Sequence, residues 1–277
     1  MLALFLNRAI SFSQRYVPEP IRLLTVTNMN LRILIAWLSL FVTQCVLAGE
    51  VHLAVAANFS GPIQKIVPAF EKETGHKVIV SIGATGKFYA QVTNGAPFDV
   101  FLSADDETPA KLEQAFYAVA GTRVTYAIGK LVLWSAKGGV VDHNGDVLSK
   151  GDFQHLAIAN PKTAPYGAAA VETMKRLKVW ALIEPKLVRG ENIAQTHQFV
   201  QTGNAELGFV ALSQVITEGK IAVGSGWIVP PSYYAPIRQD AVLLAKARHN
   251  PAASDFLTFL KGDKSKSVIR SFGYELP

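Results

Sequence analysis

The chain of 277 residues has one cysteine, Cys45. A lone thiol closes no intramolecular disulfide, so the fold must rest on its own core. Charge is also sparse: Asp, Glu, Lys and Arg make up 17 % of the residues, and the net charge is +6. Part of that excess lies in residues 1–48, where Arg8, Arg15, Arg22 and Arg32 face Glu19 alone. Without them the balance is 23 basic to 20 acidic, a net of +3. The remaining cations form no stripe, so no nucleic acid is expected as a partner. There is no phosphate-binding glycine loop, no G-x-G-x-x-G, no G-x-S-x-G and no H-E-x-x-H. The six histidines, His52, His76, His143, His155, His197 and His249, do not pair at metal-ligand spacing and read as surface or loop residues. Asp142-x-Asn144-x-Asp146 starts like a calcium loop. Val147 and Phe153 stand where such a loop needs glycine and an acid, so it reads as a turn.

Long apolar runs are missing too, with one exception, Leu31–Ala48. A basic start, an apolar stretch and the ending Val46-Leu47-Ala48 describe a secretory signal peptide with cleavage after Ala48. An uncleaved anchor helix is the alternative, since the run is about long enough to span a bilayer. Translation from Met29 would make residues 29–48 a signal of ordinary length and leave 1–28 without a role in the fold. Cys45 follows Thr43-Gln44 rather than small residues, so lipidation is not expected. The mature chain is then free of cysteine, as suits a soluble exported protein of the bacterial periplasm.

What the mature chain does contain is a repeated strand–helix alternation. Val51–Ala56, Lys77–Ser81 and Asp99–Ser103 read as strands. Helices Pro62–Glu73, Lys87–Thr93 and Thr108–Phe116 follow them. This βαβαβα order predicts a largely parallel sheet. Val100–Leu102 is apolar without alternation, as in a strand covered on both faces. Arg123–Ile128 and Lys130–Ser135 mark a crossover. A second βα series follows: strand Leu156–Asn160, helix Tyr166–Leu177, strand Lys186–Gly190, helix Ile193–Gly203, strand Leu207–Ala211 and helix Leu212–Glu218. Strand Ala241–Ala247 and helices Ala252–Lys261 and Ser265–Phe272 close the chain, which predicts an α/β molecule of two lobes. The first lobe takes 49–128 plus 238–277 and the second 129–237.

Four helix beginnings each follow a strand, at Asn58, Thr85, Tyr166 and Ile193. Free backbone N–H groups and the helix dipole make such ends suited to anions. Simple capping explains any one of them; jointly they point to an anion cleft. Only Lys87 brings a cation near, so neutral donors would have to satisfy every oxygen of a buried charge. Asn58 or Ser60 can cap the Pro62 helix, and Asp105-Asp106 suit the start of the Thr108 helix. Tyr233-Tyr234 read as hinge or packing residues. No enzyme constellation stands out.

The segment GAPFDVFLSAD (Gly95–Asp105) is close to the GAPAD-(L/V)-F-(I/L)-SAD signature of periplasmic molybdate-binding proteins of ABC transporters. The opening strand with Ala56-Ala57-Asn58-Phe59, the turn before Thr85, Asn160–Gly167, LGFV at 207–210 and FLKG at 259–262 agree as well. The chain resembles that family over 50–277. The resemblance implies a type II periplasmic binding fold, with two lobes that close on one tetrahedral oxyanion, molybdate or tungstate. It also implies no cofactor, no catalysis, and a monomer that serves a permease in the inner membrane. It makes Asn58, Thr85 (where serine is usual) and the main-chain N–H groups of Tyr166 and Ile193 the ligand set. Ala211 stands where the family often has a tyrosine, and the Tyr166 hydroxyl is the expected substitute donor. A binder of another oxyanion or small acid, a ferric-ion binder using Tyr233-Tyr234, and an exported α/β enzyme are the alternatives.

Overall fold

The structure, a computed structural model, describes residues 48–277. The expected signal peptide, Met29 and Cys45 lie outside the described residues. Twelve strands are formed among those described: β1 (Glu50–Ala56), β2 (Lys77–Gly83), β3 (Val100–Leu102), β4 (Val124–Gly129), β5 (Leu131–Ser135), β6 (Leu156–Ala159), β7 (Leu187–Gly190), β8 (Leu207–Ala211), β9 (Ile216–Thr217), β10 (Lys220–Ile221), β11 (Ser225–Ile228) and β12 (Ile237–Leu243).

Ten of them build two five-stranded mixed sheets, and β9 and β10 pair on their own. The first has the order β2-β1-β3-β12-β4 and the second β11-β5-β8-β6-β7. In the first, β2, β1 and β3 are parallel, and β12 runs antiparallel between β3 and β4. In the second, β7, β6 and β8 are parallel, and β5 and β11 add antiparallel. The runs VFL, LVLWS, LAIA and LGFVA are buried throughout. Helices cover both faces of each sheet, and continuous apolar strands are the sequence form of that arrangement. The edge strand β2 alternates instead and leaves Ile79 and Ile82 partly exposed.

The Ser60–Thr74 helix buries Pro62, Ile63, Ile66 and Phe70. Phe70 meets Phe256 of the Pro251–Lys261 helix edge to face, with centroids 5.3 Å apart. Aromatic pairs prefer this geometry because ring edges are positive and faces negative. The chain leaves the first sheet after Gly129, enters the second at Leu131, and returns through residues 229–236 to β12.

Several expected elements differ in the structure. Leu212–Glu218 is not a helix: a single 3-10 turn, Leu212–Gln214, precedes the β9–β10 hairpin. Glu218 (φ 51°) and Gly219 (φ 79°) form its two-residue turn. A left-handed pair there matches the twist of an antiparallel ribbon. The last strand is Ile237–Leu243 rather than Ala241–Ala247, because pairing with β4 recruits the polar residues Arg238–Asp240. Strand Ser225–Ile228 and the short helices Val147–Lys150 and Trp180–Ile183 carry too few periodic residues to show in the sequence.

Candidate functional site

All four expected residues line one small cavity between the two sheets. Asn58 lies in a 3-10 turn, Ala57–Phe59, that follows β1. Thr85 opens the Thr85–Thr93 helix after β2. Tyr166 is the second residue of the Pro165–Arg176 helix after β6, and Ile193 the first of the Ile193–Gln201 helix after β7. None of the four exposes more than 3 % of its surface. The cavity is tight, leaving about 10 Å³ for the centres of water-sized spheres. Sites for drug-sized ligands run to about 300–1,000 Å³, so this one suits a single small ion. No lining side chain is charged.

The donors come from helix geometry. Among the described residues, no hydrogen-bond partner is found for the main-chain N–H of Asn58, Thr85, Tyr166 or Ile193. The first turn of a helix leaves its N–H groups without an intrahelical partner, and here four such groups belong to residues that line one cavity. Asn192 shows how selectively this is arranged. Its side chain caps the helix by accepting from Ala194 N at 2.9 Å and Gln195 N at 3.1 Å. The N–H of Ile193 is left over. Gln214 holds the same residue by its carbonyl: its Nε2 donates to Ile193 O at 3.0 Å, and its Oε1 accepts from Ala211 N at 3.0 Å. The Thr85 hydroxyl accepts from Ala104 N at 3.0 Å, which leaves its own proton for a ligand.

Asn58 does not cap the following helix as expected, and neither does Ser60; that helix has no side-chain cap. Asn58 Nδ2 instead donates to Gln239 Oε1 at 2.8 Å and to the Tyr274 hydroxyl at 2.9 Å. The Tyr166 hydroxyl, expected to replace a donor lost at Ala211, accepts from Gln239 Nε2 at 3.1 Å. What Tyr166 offers the cavity is its main-chain N–H. Ala211 is buried at the end of β8 and does not line the cavity. Burial pushes the Tyr126 and Tyr166 phenols well above their ordinary range and the Tyr274 phenol up to about 12. All three are neutral hydroxyls at neutral pH.

The two walls touch around the cavity. Gly86 N donates to Thr163 O at 2.9 Å, Ser213 Oγ donates to Asn58 O at 2.8 Å, and Lys87 pairs with Glu191. Outside lies a wider mouth lined by Asp105, Asp106, Glu107 and Glu172 beside Lys111 and Lys162. Asp105 does anchor the helix start, accepting from Thr108 N at 2.9 Å and Thr108 Oγ1 at 3.0 Å. Burial still pushes its carboxyl above the usual range.

Tyr233 and Tyr234 are elsewhere. The Tyr234 hydroxyl accepts from Leu131 N at 3.2 Å, and Tyr233 packs on Trp227. The pair lines no part of the cavity, which disfavours the ferric-ion reading. His76 is buried rather than superficial, accepting from Gly49 N at 2.9 Å. Asn192, Gln214 and Gln239 were not singled out from the sequence. Only Asn192 carries a signal there, as a cap residue directly before an apolar-periodic run.

The chain matches the bacterial extracellular solute-binding protein family over residues 51–275. It is 61 % identical to the molybdate-binding protein ModA of Azotobacter vinelandii over 229 residues, 83 % of this chain and 91 % of that protein. It is 53 % identical to ModA of Rhodobacter capsulatus over 227 residues, 82 % and 88 % of the two chains. A solved structure of an Azotobacter vinelandii periplasmic molybdate-binding protein superposes with a TM-score of 0.79 at 42 % identity. It covers 82 % of this chain and 100 % of that one. With two helix-flanked mixed sheets and a match over nearly all the described residues, the chain belongs to the bacterial extracellular solute-binding proteins, in their type II fold.

Proposed function

We propose that this protein captures molybdate, and also tungstate, in the cavity between its sheets and hands the ion to the permease of an ABC importer. It is a solute-binding protein and not an enzyme. It acts in the periplasm as a monomer, exported by the signal at 29–48. Its lobes are 49–128 with 238–277, and 129–237, and they hinge at the two crossings near Gly129 and residues 229–236. The ligand set is Asn58, Thr85, Tyr166 and Ile193.

The observation that carries this reading is the group of unpaired N–H groups around one small uncharged cavity. A buried anion is tolerable only if its oxygens are hydrogen-bonded, and each hydrogen bond to a charged group contributes about 1.5–3 kcal/mol. Donors from both lobes reach one ion only when the cleft is shut, so the ion favours the closed state through contacts the open state lacks. Fixed donor spacing then selects by size: a larger tetrahedral oxyanion spans the cavity, whereas sulfate falls short of part of the set.

Calorimetric titration and thermal shift with molybdate, tungstate, sulfate, phosphate and Fe(III) test it. Molybdate at about 100 times its Kd should stabilise the protein by about 2.7 kcal/mol. Stabilisation by sulfate equal to that by molybdate removes the selectivity claim. No response to any oxyanion removes the function.

A further inference from the structure

Against the cavity lies a cluster of buried polar side chains bonded to one another. Gln239, on β12, is fully buried. Its Oε1 accepts from Asn58 Nδ2 at 2.8 Å and stands 3.1 Å from the Tyr126 hydroxyl. Its Nε2 donates to the Tyr166 hydroxyl at 3.1 Å. The Tyr274 hydroxyl accepts from Asn58 Nδ2 and lies 3.0 Å from Ser213 Oγ. Asn58, Tyr126 and Gln239 belong to the first sheet and its connections. Tyr166 and Ser213 belong to the second.

Two backbone features serve this cluster. The β12–β4 register shifts between Gln239 and Asp240: Gln239 pairs with Ala127 and Asp240 with Thr125, so Tyr126 is the extra residue. A bulge re-aims the side chains beside it, and here it brings Tyr126 and Gln239 together. Gly129, where the chain leaves the first sheet, is the second. A Cβ there would stand 2.1 Å from the Tyr166 hydroxyl oxygen and 2.6 Å from Gln239 Nε2. Only glycine leaves room for the amide and the phenol to meet at the crossing.

We infer that Gln239 is a positioning residue for the anion site: its amide holds Asn58 on one wall and Tyr166 on the other, and so ties the donor set to the closing of the cleft. Asn58 and Tyr166 each offer the ion a main-chain N–H, and each has its side chain fixed by the same amide. The bond to Tyr166 crosses from one sheet to the other, so it exists only while the walls are together. When they part, water satisfies both groups. Removing the amide therefore burdens the closed state more than the open one: both lose the bonds to Asn58 and Tyr126, and only the closed state also seals the orphaned Tyr166 hydroxyl from water.

The inference rests on the reading of the cavity as a molybdate site, and the test separates the two. Molybdate titrations and ligand-free melting are compared for wild type, Gln239→Met, Tyr166→Phe and the double variant. Methionine keeps the length and removes both hydrogen-bonding functions. Expected are a Kd for Gln239→Met weaker by about ten-fold or more, a lower ligand-free melting temperature whose loss falls short of the loss of affinity, and a smaller effect of Gln239→Met in the Tyr166→Phe background. A tight-binding wild type beside a Gln239→Met variant of unchanged Kd overturns the inference alone. So do strictly additive effects, or a loss of ligand-free stability that matches the loss of affinity. A wild type that ignores molybdate overturns the reading beneath it. Should Gln239→Met fail to fold, Tyr166→Phe decides: it removes the hydroxyl that meets Gln239 and Tyr274 across the cleft, and an unchanged Kd refutes the coupling.

Discussion

The two walls of the cleft present donors of different kinds. On the first, Thr85 adds a hydroxyl proton to the main-chain N–H groups. On the second, Tyr166 and Ile193 present main-chain N–H groups alone, since the Tyr166 hydroxyl is engaged by Gln239 and Ile193 has no polar side-chain atom. Substitution can therefore remove a donor from the first wall by changing a side chain. On the second, under the proposed ligand set, the ion should meet backbone N–H groups alone, so only a change of backbone chemistry should count.

The sharpest way to break that comparison is Ile193→Pro. Proline removes the N–H and is well tolerated at the first position of a helix. Asn192 before it is already extended, with φ −151° and ψ 177°, as a residue preceding proline must be. Molybdate affinity should fall by about ten- to a hundred-fold, the worth of one hydrogen bond to a charged group, with helix content by circular dichroism unchanged. Ile193→Val is the counterpart. It should lower stability by about 0.5–1.5 kcal/mol, as shortened core side chains do, and leave affinity alone. If valine weakens binding as much as proline, the second wall does not act through its backbone.

On the first wall the effect should follow the hydroxyl. Thr85→Val keeps the shape but removes the proton offered to the ion and the acceptor for Ala104 N–H. A loss of about ten-fold in affinity is expected, while Thr85→Ser should bind as wild type. Equal binding by all three would move the hydroxyl out of the donor set.

This contrast also explains what could be read from the sequence. The helix-flanked sheets were legible because VFL, LVLWS and LGFVA are buried strands with helical periods between them. Asn58 and Thr85 were legible as polar residues after a strand. Tyr166 and Ile193 were legible as helix starts after a strand, but their main-chain donor role came only with the family resemblance, since a free N–H leaves no mark on residue type. Gln239 stayed hidden for another reason. Its partner Asn58 lies 181 residues away, and the polar run Arg238-Gln239-Asp240 reads as loop until the pairing of β12 with β4 makes it strand. Capping by Asn58 was mistaken because tertiary partners outcompeted a local one.

The floor shared by both walls can be probed with alkali. An unfolded tyrosine loses its proton near pH 10. Burial holds the Tyr274 proton to about 12 and those of Tyr126 and Tyr166 higher than usual. Below pH 10 both states are protonated and these groups make stability no function of pH. Above it the unfolded state ionises first, so stability falls as pH rises from about 10 towards 12. Melting temperatures between pH 9 and 11.5 should show the decline, and Tyr274→Phe should flatten it.

The smallest effect is expected at the cleft's rim, where Lys87 and Glu191 join the walls by charge. Both side chains are at least half exposed, and exposed pairs contribute about 0–1 kcal/mol. Lys87→Met should therefore weaken molybdate binding only a few-fold at low salt. The difference should vanish as the Debye length shrinks to about 3 Å at 1 M salt. A deficit that survives high salt would mean that Lys87 reaches the ion itself. The contrast between the walls would then need a third term, because a cation on the first wall would add long-range attraction to donors that otherwise act only on contact.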